Sequence, residues 1–180
     1  SGGQMTNWGA HYLDIAQWGN GADDTGPVEI DGKGEFPPKG LFNTADRVDI
    51  KYTYANGVLL HLTTSGGHTR FEGTAGWVDV TRGRIKAGPE SLLKVKIKPN
   101  EIHLYKSRDH KQNFLDCIKS RKQPVADAEI GHRSASVCHL GNISMLLGRP
   151  VKWDPKKEKF INDAAADQMI GRPMRAPWRL

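Results

Sequence analysis

Long apolar runs are missing from this sequence of 180 residues. No stretch approaches the about 20 consecutive apolar residues of a transmembrane helix, and no charged start leads into an apolar segment typical of secretory signal peptides. Hydrophobic residues make up 37% and charged residues 26% of the chain, which is ordinary for a globular protein in water. We therefore expect no membrane partner and a cytoplasmic location, while a signal upstream of residue 1 would allow export.

Cysteine is scarce, with only Cys117 and Cys138. Both lie in apolar patterns typical of helices, where a free thiol packs as a small hydrophobic group. Their spacing fits neither a disulfide framework nor a metal site. His132 and His139 share one face of a predicted helix but lie about 10 Å apart along its axis, too far for simple binding of one metal ion. We predict no metal site.

The glycine fingerprint of a dinucleotide site is also missing. The stretch Gly32-Lys33-Gly34 runs into Glu35-Phe36-Pro37 and opens no helix, whereas a Gly-x-Gly-x-x-Gly motif follows a strand and begins a helix. The net charge of +6 comes mostly from scattered Lys and Arg residues, and no nucleic-acid-binding motif accompanies it. The sequence therefore predicts no cofactor site within these residues and no nucleic-acid partner.

The most informative stretch that is present opens the chain. After Gly2-Gly3, the residues from Asn7 to Trp18 have helical spacing, and Gly19 and Gly21 close the pattern. Asn7, His11, Asp14 and Trp18 form a narrow stripe on this predicted helix. Most of the remaining circumference is apolar or small, which favours burial. We expect a buried polar stripe that is either hydrogen-bonded or used in function.

His11 is the candidate proton donor or acceptor of this stripe, because imidazole titrates near neutral pH. Asn7 and Asp14 lie one turn away on either side and would orient its ring. The alternative is a structural hydrogen-bond network at a domain boundary.

The centre of the chain alternates polar and apolar residues, as strands with one solvated face do. This pattern predicts strands over residues 28–35, 47–54, 58–65, 71–74, 77–82 and 84–86, with a tight hairpin turn at Ala55-Asn56-Gly57. Lys94-Val95-Lys96-Ile97-Lys98 alternates in the same way and predicts one more strand. Successive hairpins imply a largely antiparallel sheet with helices on one side.

Two further helices are predicted over residues 109–121 and 127–147. The second contains many small residues, among them Gly131, Ser134, Gly141 and Ser144, so one of its faces can approach another backbone closely. The prolines after residue 171 exclude a helix at the end of the chain. We expect an extended arm there that buries Trp178 against its own domain or a neighbouring subunit.

The fold class that follows is α+β, an open, mostly antiparallel sheet with helices packed on one face. We expect residues 1–180 to form a single domain. Its parts are the opening helix (1–21), the sheet (28–104), the covering helices (109–148) and a C-terminal arm (149–180).

The opening stretch resembles the segment that begins the C-terminal domain of the Gfo/Idh/MocA oxidoreductases, a glycine pair followed by Asp-x-Gly-x-His and a further Asp. Gly2, Gly3, His11 and Asp14 match this motif, whereas Asn7 stands where the family usually has a carboxylate. An amide can orient a hydroxyl or a ring nitrogen but cannot take a proton. Further stretches resemble the planctomycete and Bacteroidetes-type branch in the expected order, namely 43–46, 71–77, 127–135, 137–143 and 172–178.

The resemblance implies a fold like the C-terminal domain of glyceraldehyde-3-phosphate dehydrogenase. It also implies a preceding Rossmann domain, outside this chain, that holds NAD or NADP and supplies a catalytic lysine. His11, Asn7 and Asp14 would be the catalytic residues, with His11 relaying the proton of a sugar, cyclitol or related polyol. Alternatives within the resemblance are an NAD-using glycoside hydrolase and a non-catalytic sugar-binding or scaffold protein.

The resemblance also suggests substrate contacts and a mode of assembly. The candidate substrate-binding residues are Gly3, Trp8, His68, Arg70 and His132. Relatives pair through the open face of the sheet, so we expect a dimer or tetramer that buries Tyr52 and Tyr54 on that face. This fragment alone is expected to be inactive.

Overall fold

A computed structural model describes residues 2–64, 66–172 and 174–178 of the chain. In chain order the elements are α1 (Trp8–Gly19), β1 (Glu29–Glu35), β2 (Arg47–Thr53), β3 (Leu59–Thr63), β4 (Thr69–Gly73), β5 (Gly76–Thr81), β6 (Arg84–Gly88), α2 (His110–Ser120), α3 (Ala128–Leu147), β7 (Val151–Asp154), β8 (Lys159–Phe160) and α4 (Ala164–Asp167). Two 3-10 helices span Gly3–Thr6 and Glu90–Lys94. The chain divides into two compact units, Ser1–Gly67 with Arg133–Leu180 and His68–His132.

The first unit is built on a five-stranded antiparallel sheet in the order β3-β2-β1-β7-β8. The β2–β3 hairpin closes where Tyr54 and Val58 pair and Gly57 adopts a φ of 86°, a conformation that glycine takes without steric cost. Alternation places one set of side chains in the core and the other in solvent, as predicted. The buried set includes Ile30, Ile50 and Tyr52.

Helix α3 packs closely on the inner face of this sheet because both partners carry small residues. A Cβ added to Gly32 would lie 3.0 Å from the Met145 side chain, and one added to Gly34 would lie 2.8 Å from Met145 Sδ. Ser144 Oγ accepts a hydrogen bond from the Gly32 N–H at 2.9 Å and donates to the Ile30 carbonyl at 3.2 Å. Ser144 therefore continues the hydrogen bonding of β1 beyond its short register with β7. The close approach predicted from the small residues of α3 is confirmed.

The second unit contains a three-stranded antiparallel sheet in the order β4-β5-β6 and helix α2. Asp109 caps α2 by accepting hydrogen bonds from the N–H groups of Lys111 and Gln112. This is the usual stabilisation of otherwise unpaired donors at a helix start. Asp127 does the same for α3 by accepting from the Ile130 N–H at 2.9 Å. Both helix starts agree with the sequence pattern.

The strand predicted over Lys94-Val95-Lys96-Ile97-Lys98 is wrong. The segment follows the 3-10 helix Glu90–Lys94 and has no partner strand among the described residues. The Lys98 N–H is bound by Glu101 Oε2 at 2.5 Å. Alternation produces a strand only where a neighbour accepts and donates the ladder hydrogen bonds, and here a local side chain takes that role.

Two other expectations about the sheet need correction. The strands predicted within residues 28–104 divide between two sheets, and α2 belongs to the unit of the three-stranded sheet. Residues 149–180, predicted as an arm, contribute β7 and β8 to the five-stranded sheet. The alternation of Val151-Lys152-Trp153-Asp154 was the signal for β7, since Val151 and Trp153 are buried.

The tryptophan near the end of the chain is not buried, since 64% of Trp178 is exposed. The expectation that this side chain packs on its own domain is therefore wrong. Pro173, Arg179 and Leu180 of the predicted arm, and Ser65 at the predicted end of β3, lie outside the described residues.

Candidate active site

The glycine pair that opens the chain is required by close packing. A Cβ on Gly2 would lie 2.4 Å from Asn142 Nδ2, and one on Gly3, which has a φ of +61°, would lie 2.4 Å from Thr44 Oγ1. Asn142 Nδ2 also donates to the Gly2 carbonyl at 3.4 Å. The start of α1 is thereby fixed against α3 and the loop before β2.

The polar stripe of α1 is exposed, not buried. Asn7, His11, Asp14 and Trp18 all face solvent, and the opposite face buries Leu13, Ala16 and Gln17. The expectation of a buried stripe was wrong because the small and apolar residues around the helix do not all reach the core; Trp8 remains 48% exposed. Exposure leaves the His11 ring accessible to a ligand.

The His11 ring packs against Trp8, which in turn stacks on Tyr12. The Trp8 and His11 ring centroids are 5.7 Å apart in an edge-to-face arrangement, and Trp8 stacks with Tyr12 at 6.4 Å. The His11 ring has no hydrogen-bond partner among the described residues. Both ring nitrogens are therefore available, while the aromatic contacts limit the positions that the ring can adopt.

Asp14 is held by α3. Ser134 Oγ donates a hydrogen bond of 2.6 Å to Asp14 Oδ1, a short contact of the kind that a charged acceptor makes. The Cys138 thiol lies one turn further along α3 and is fully buried. Burial, with a smaller contribution from the negative charge of Asp14, raises the pKa of this thiol to about 12. Burial therefore keeps Cys138 neutral.

The buried face of α1 is anchored by Gln17, which is 1% exposed. Its amide nitrogen donates to the carbonyls of Ala22 and Thr25 at 2.9 and 3.0 Å, and its oxygen accepts from the Tyr54 hydroxyl at 2.5 Å. Both the nitrogen and the oxygen of the buried Gln17 amide therefore have hydrogen-bond partners. The helix that carries His11 is therefore rigidly tied to the end of β2.

The other predicted substrate contacts lie in the second unit. His68 Nδ1 is 2.5 Å from Asp79 Oδ2, and Arg70 pairs with Glu72 at 2.8 Å while its guanidinium lies 4.3 Å from the centre of the Trp77 ring. His132 is exposed near the start of α3. Helix α1 carries His11 and Asp14, while Asn7 immediately precedes it and has non-helical φ and ψ angles of −104° and −96°. His68, Arg70 and His132 belong to the other compact unit.

Several residues that support this site escaped the sequence analysis. Ser134 was noticed only as a small residue, and Thr44 and Asn142 only as members of the family-like stretches 43–46 and 137–143. Their partners are far away in the sequence, 120 residues in the case of Ser134 and Asp14. Such pairings follow only from the packed structure.

A shallow depression of about 620 Å³ lies on the outer face of the five-stranded sheet. It is lined by Lys33, Gly34, Glu35, Arg47, Val48, Asp49, Thr63 and Thr64. None of these residues belongs to the motif on α1. The depression therefore does not mark the candidate active site.

Comparison with known protein families identifies the family of this chain. Residues 1–180 match the family described as the oxidoreductase family, C-terminal alpha/beta domain, of the Gfo/Idh/MocA type. The chain belongs to this family. The α+β architecture with its five-stranded antiparallel sheet agrees with the C-terminal domain of the Gfo/Idh/MocA oxidoreductases.

Solved structures share the fold at low sequence identity. Aldose-aldose oxidoreductase from Caulobacter crescentus, complexed with glycerol, matches 80% of this chain and 45% of its own with 15% identity and a TM-score of 0.59. WlbA dehydrogenase from Bordetella pertussis, in complex with NADH and UDP-GlcNAcA, matches 86% and 46% with 14% identity and a TM-score of 0.58. A putative myo-inositol dehydrogenase from Sinorhizobium meliloti matches 84% and 50% with 15% identity and a TM-score of 0.58.

The chain spans about half the length of these solved structures. No curated protein sequence matches it significantly. Within residues 2–64, 66–172 and 174–178, no helix is both long and apolar enough to cross a membrane.

Proposed function

We propose that this chain is the substrate-binding and oligomerisation domain of an oxidoreductase that uses NAD or NADP to act on a sugar, cyclitol or related polyol. The observation that carries the proposal is the exposed His11 ring, held on a rigidly anchored helix with no hydrogen-bond partner among the described residues. A ring nitrogen in this state can accept the proton of a bound hydroxyl. The family membership supplies the reaction class.

The nicotinamide cofactor is proposed to bind mainly outside this chain, in a Rossmann domain. The glycines Gly32 and Gly34 do not serve it, because they lie inside β1 and make room for Met145. Such a cofactor would supply hydride-transfer chemistry at the carbon that carries the hydroxyl. The exposed face of α1 fits the complementary task of handling the hydroxyl proton.

In this mechanism His11 accepts the hydroxyl proton as the carbon–oxygen bond becomes a carbonyl. Asn7, the residue before α1, orients the hydroxyl or the imidazole through its amide, which cannot itself take a proton. Asp14, one turn after His11, is held in place by the hydrogen bond from Ser134. Trp8 would form an apolar wall beside the reacting group.

Gly3, His68, Arg70 and His132 stay predicted substrate contacts. For Gly3, packing against Thr44 already explains the absence of a side chain, so any contact with substrate would come from its backbone. The other three belong to the second unit.

Of the two alternatives to the main proposal, Asn7 favours an NAD-using glycoside hydrolase of the same fold. Because the family usually has a carboxylate at this position, its replacement by an amide suits a reaction in which the usual proton transfer is altered. An NAD-using glycoside hydrolase oxidises its substrate only transiently, and a non-catalytic sugar-binding or scaffold protein needs no proton transfer. Cleavage of a glycoside without net formation of reduced nicotinamide would identify the first, and sugar binding without turnover the second.

The experiment that tests the main proposal uses the full-length protein. A panel of sugars, cyclitols and other polyols is supplied with NAD or NADP while the nicotinamide absorbance is followed. We expect turnover of at least one compound, and a loss of about 10²–10⁴-fold in kcat for His11→Ala with unchanged nucleotide binding. His139→Ala, which removes an exposed histidine of α3, is the matched control and should retain activity.

An equal loss of kcat in His11→Ala and His139→Ala, or full activity of His11→Ala, would refute the role of His11 as proton acceptor. No turnover of any compound by the wild-type protein would count against the oxidoreductase proposal.

We also propose that the full-length protein assembles into a dimer or tetramer through the outer face of the five-stranded sheet. Tyr52 and Tyr54, expected on this face, are instead buried in the core at 0% and 4% exposure. The support comes from charge. Opposite charges face each other across β1 and β2, as Lys33 with Asp49 and Asp31 with Lys51, so the face carries both signs and can complement a second copy.

Sedimentation at micromolar concentration tests this assembly. We expect Lys51→Glu to weaken association and Lys156→Glu, in the turn between β7 and β8, to leave it unchanged. A wild-type protein that sediments only as a monomer would rule the proposal out.

A further inference from the structure

The two asparagine-glycine steps of the chain lie beside each other in the structure. They are Asn20-Gly21, directly after α1, and Asn56-Gly57, in the turn between β2 and β3. Asn56 Nδ2 donates a hydrogen bond of 3.0 Å to Asn20 Oδ1. We propose that Asn56 is a site of spontaneous modification, at which the side-chain amide loses ammonia, and that Asn20 is protected from the same reaction by its position at the end of α1.

The reaction closes a succinimide ring between an asparagine side chain and the next residue. The backbone nitrogen of that residue attacks Cγ, the bond from Cγ to Nδ2 breaks, and the amide group leaves as ammonia with the proton of the attacking nitrogen. Water then opens the ring at either carbonyl and yields aspartate or its β-linked isomer. Glycine favours the attack at both steps, because it has no Cβ and its backbone rotates freely. The sequence alone therefore predicts equal reactivity for the two asparagines.

The surroundings of Asn56 favour the attack on its side chain. Asn56 is exposed, so ammonia can leave directly into water. Its Oδ1 accepts a hydrogen bond from the Val58 N–H at 3.1 Å, and a donor at this oxygen stabilises the negative charge that develops when Cγ is attacked. Because the bond joins Asn56 to the residue after Gly57, it folds the side chain along the backbone towards the attacking nitrogen.

One contact at the hairpin must open before Asn56 reacts. The Gly57 N–H donates to the Tyr54 carbonyl at 3.0 Å. This bond closes a short turn whose residues 55–57 are all exposed. Exposed turns open at a low cost in free energy, because few buried contacts are lost.

Asn20 belongs to the same dipeptide in a more restrictive setting. Its amide nitrogen is buried, which hinders the departure of ammonia. The Gly21 N–H donates to the Trp18 carbonyl at 3.1 Å, and the next residue, Ala22, is 2% exposed and donates to the Gln17 carbonyl at 2.9 Å. Attack by the Gly21 nitrogen therefore requires the last turn of α1 to open together with buried contacts, which costs more free energy than opening the hairpin turn.

Modification of Asn56 would change how the hairpin contacts α1. The new carboxylate has no N–H to donate to Asn20 Oδ1, and the β-linked product also lengthens the backbone of the turn by a methylene group. The contact between the hairpin and the end of α1 is then lost. The buried hydrogen bond from Tyr54 to Gln17 still holds the helix.

The test follows both asparagines in the full-length protein by peptide mapping with mass spectrometry during incubation at mildly alkaline pH. Replacement of the amide by a carboxyl group changes the peptide mass, and chromatography separates the β-linked product. We expect Asn56 to react at least about tenfold faster than Asn20 in the folded protein, which corresponds to about 1.4 kcal/mol of additional opening free energy at Asn20. In concentrated urea the two rates should agree within about a factor of two, because the unfolded chain holds neither side chain in place.

Asn56→Gln is the control for the assignment, since its longer side chain would have to close a larger ring. The modified hairpin peptide should disappear in this variant. The proposal is overturned if Asn20 reacts as fast as Asn56 in the folded protein, if Asn56 stays unmodified there while both react in urea, or if the preference for Asn56 persists in urea. None of these readouts depends on nicotinamide or turnover, so they are independent of the oxidoreductase proposal.

Discussion

Ser134 Oγ donates a 2.6 Å hydrogen bond to Asp14 Oδ1 and so connects α3 to the polar face of α1. The two residues are 120 positions apart in the sequence. One turn before Asp14 on the same helix is His11, so the bond influences the position of the candidate proton acceptor. The glycine pair at the chain start and Gln17 at the helix end complete the anchoring of α1.

Removal of the Ser134 hydroxyl should loosen this connection. We expect Ser134→Ala to lower the free energy of unfolding by about 1 kcal/mol, because a hydrogen bond to a charged group is lost while the exposed Asp14 regains water. Ser136→Ala, at a half-buried serine of the same helix, is the control and should change stability by less than about 0.5 kcal/mol. Urea denaturation of both variants measures the difference, and equal effects would show that the bond contributes nothing.

Two buried tyrosines next to each other in the sheet should respond oppositely to loss of their hydroxyls. The Tyr52 hydroxyl is buried without a hydrogen-bond partner among the described residues, so Tyr52→Phe should stabilise the fold by about 1 kcal/mol. Tyr54→Phe should destabilise it by about 1–3 kcal/mol, because the buried oxygen of Gln17 loses its donor. Denaturation curves of the two variants provide the measurement. A clear loss of stability in Tyr52→Phe would reveal a partner for that hydroxyl.

Two glycines of α3 should also differ. A Cβ on Gly141 would lie 2.3 Å from the Tyr52 hydroxyl and 2.9 Å from Ile50 Cδ1. We expect Gly141→Ala to destabilise the fold by about 1–3 kcal/mol through overpacking, despite the better helix propensity of alanine.

Gly131→Ala is the control for this change, since nothing lies within 4 Å of its added Cβ. It should stabilise the protein by up to about 1 kcal/mol. Thermal unfolding of both variants distinguishes them. Addition of Tyr52→Phe to Gly141→Ala should recover part of the loss, since it removes the atom nearest to the new methyl group.

Cys138 should make stability depend on pH in the alkaline range. Its pKa is raised from 9.0 to about 12, first by burial and then by the charge of Asp14. Because the pKa of the thiol is raised in the folded state, its contribution to the free energy of unfolding is complete below about pH 9. This contribution is lost as the pH rises towards 12. The stability difference between wild type and Cys138→Ala should therefore shrink as pH rises from about 8 to 10.5.

Val137→Ala is the control for the pH experiment, because Val137 is equally buried and does not ionise. Its stability difference from the wild type should stay constant over the same range. Ionisation of the tyrosines is common to all three proteins and cancels in the comparison. A pH-independent difference for Cys138→Ala would contradict the assignment.

Much of the secondary structure was predictable from the residues alone. Period-two alternation located β1 to β6, helical spacing located α1 to α3, and Asp109 and Asp127 marked two helix starts that the structure confirms. These signals are local, since each depends on neighbours within a few positions of the chain. The false strand at 94–98 had the same local signal but no partner among the described residues.

The motif on α1 was also predictable, but its surroundings were not. His11 and Asp14 fall on one helix face because helix geometry alone requires it, whereas Asn7, predicted on the same helix, lies just before it. The exposure of that face, the bond from Ser134, and the burial of Tyr52 and Tyr54 all depend on which elements pack together. Asp79 had no sequence signal, because only its pairing with His68 distinguishes it from other strand carboxylates.

The sequence by itself therefore determined the helices, most strands, the family resemblance and the stripe that carries His11. Only the tertiary structure decided which residues hold that stripe in place, which strands share a sheet, and which face of each strand is covered. The physical reason is range: periodicity and capping act over a few residues, whereas packing and buried hydrogen bonds join residues that the chain separates by more than a hundred positions.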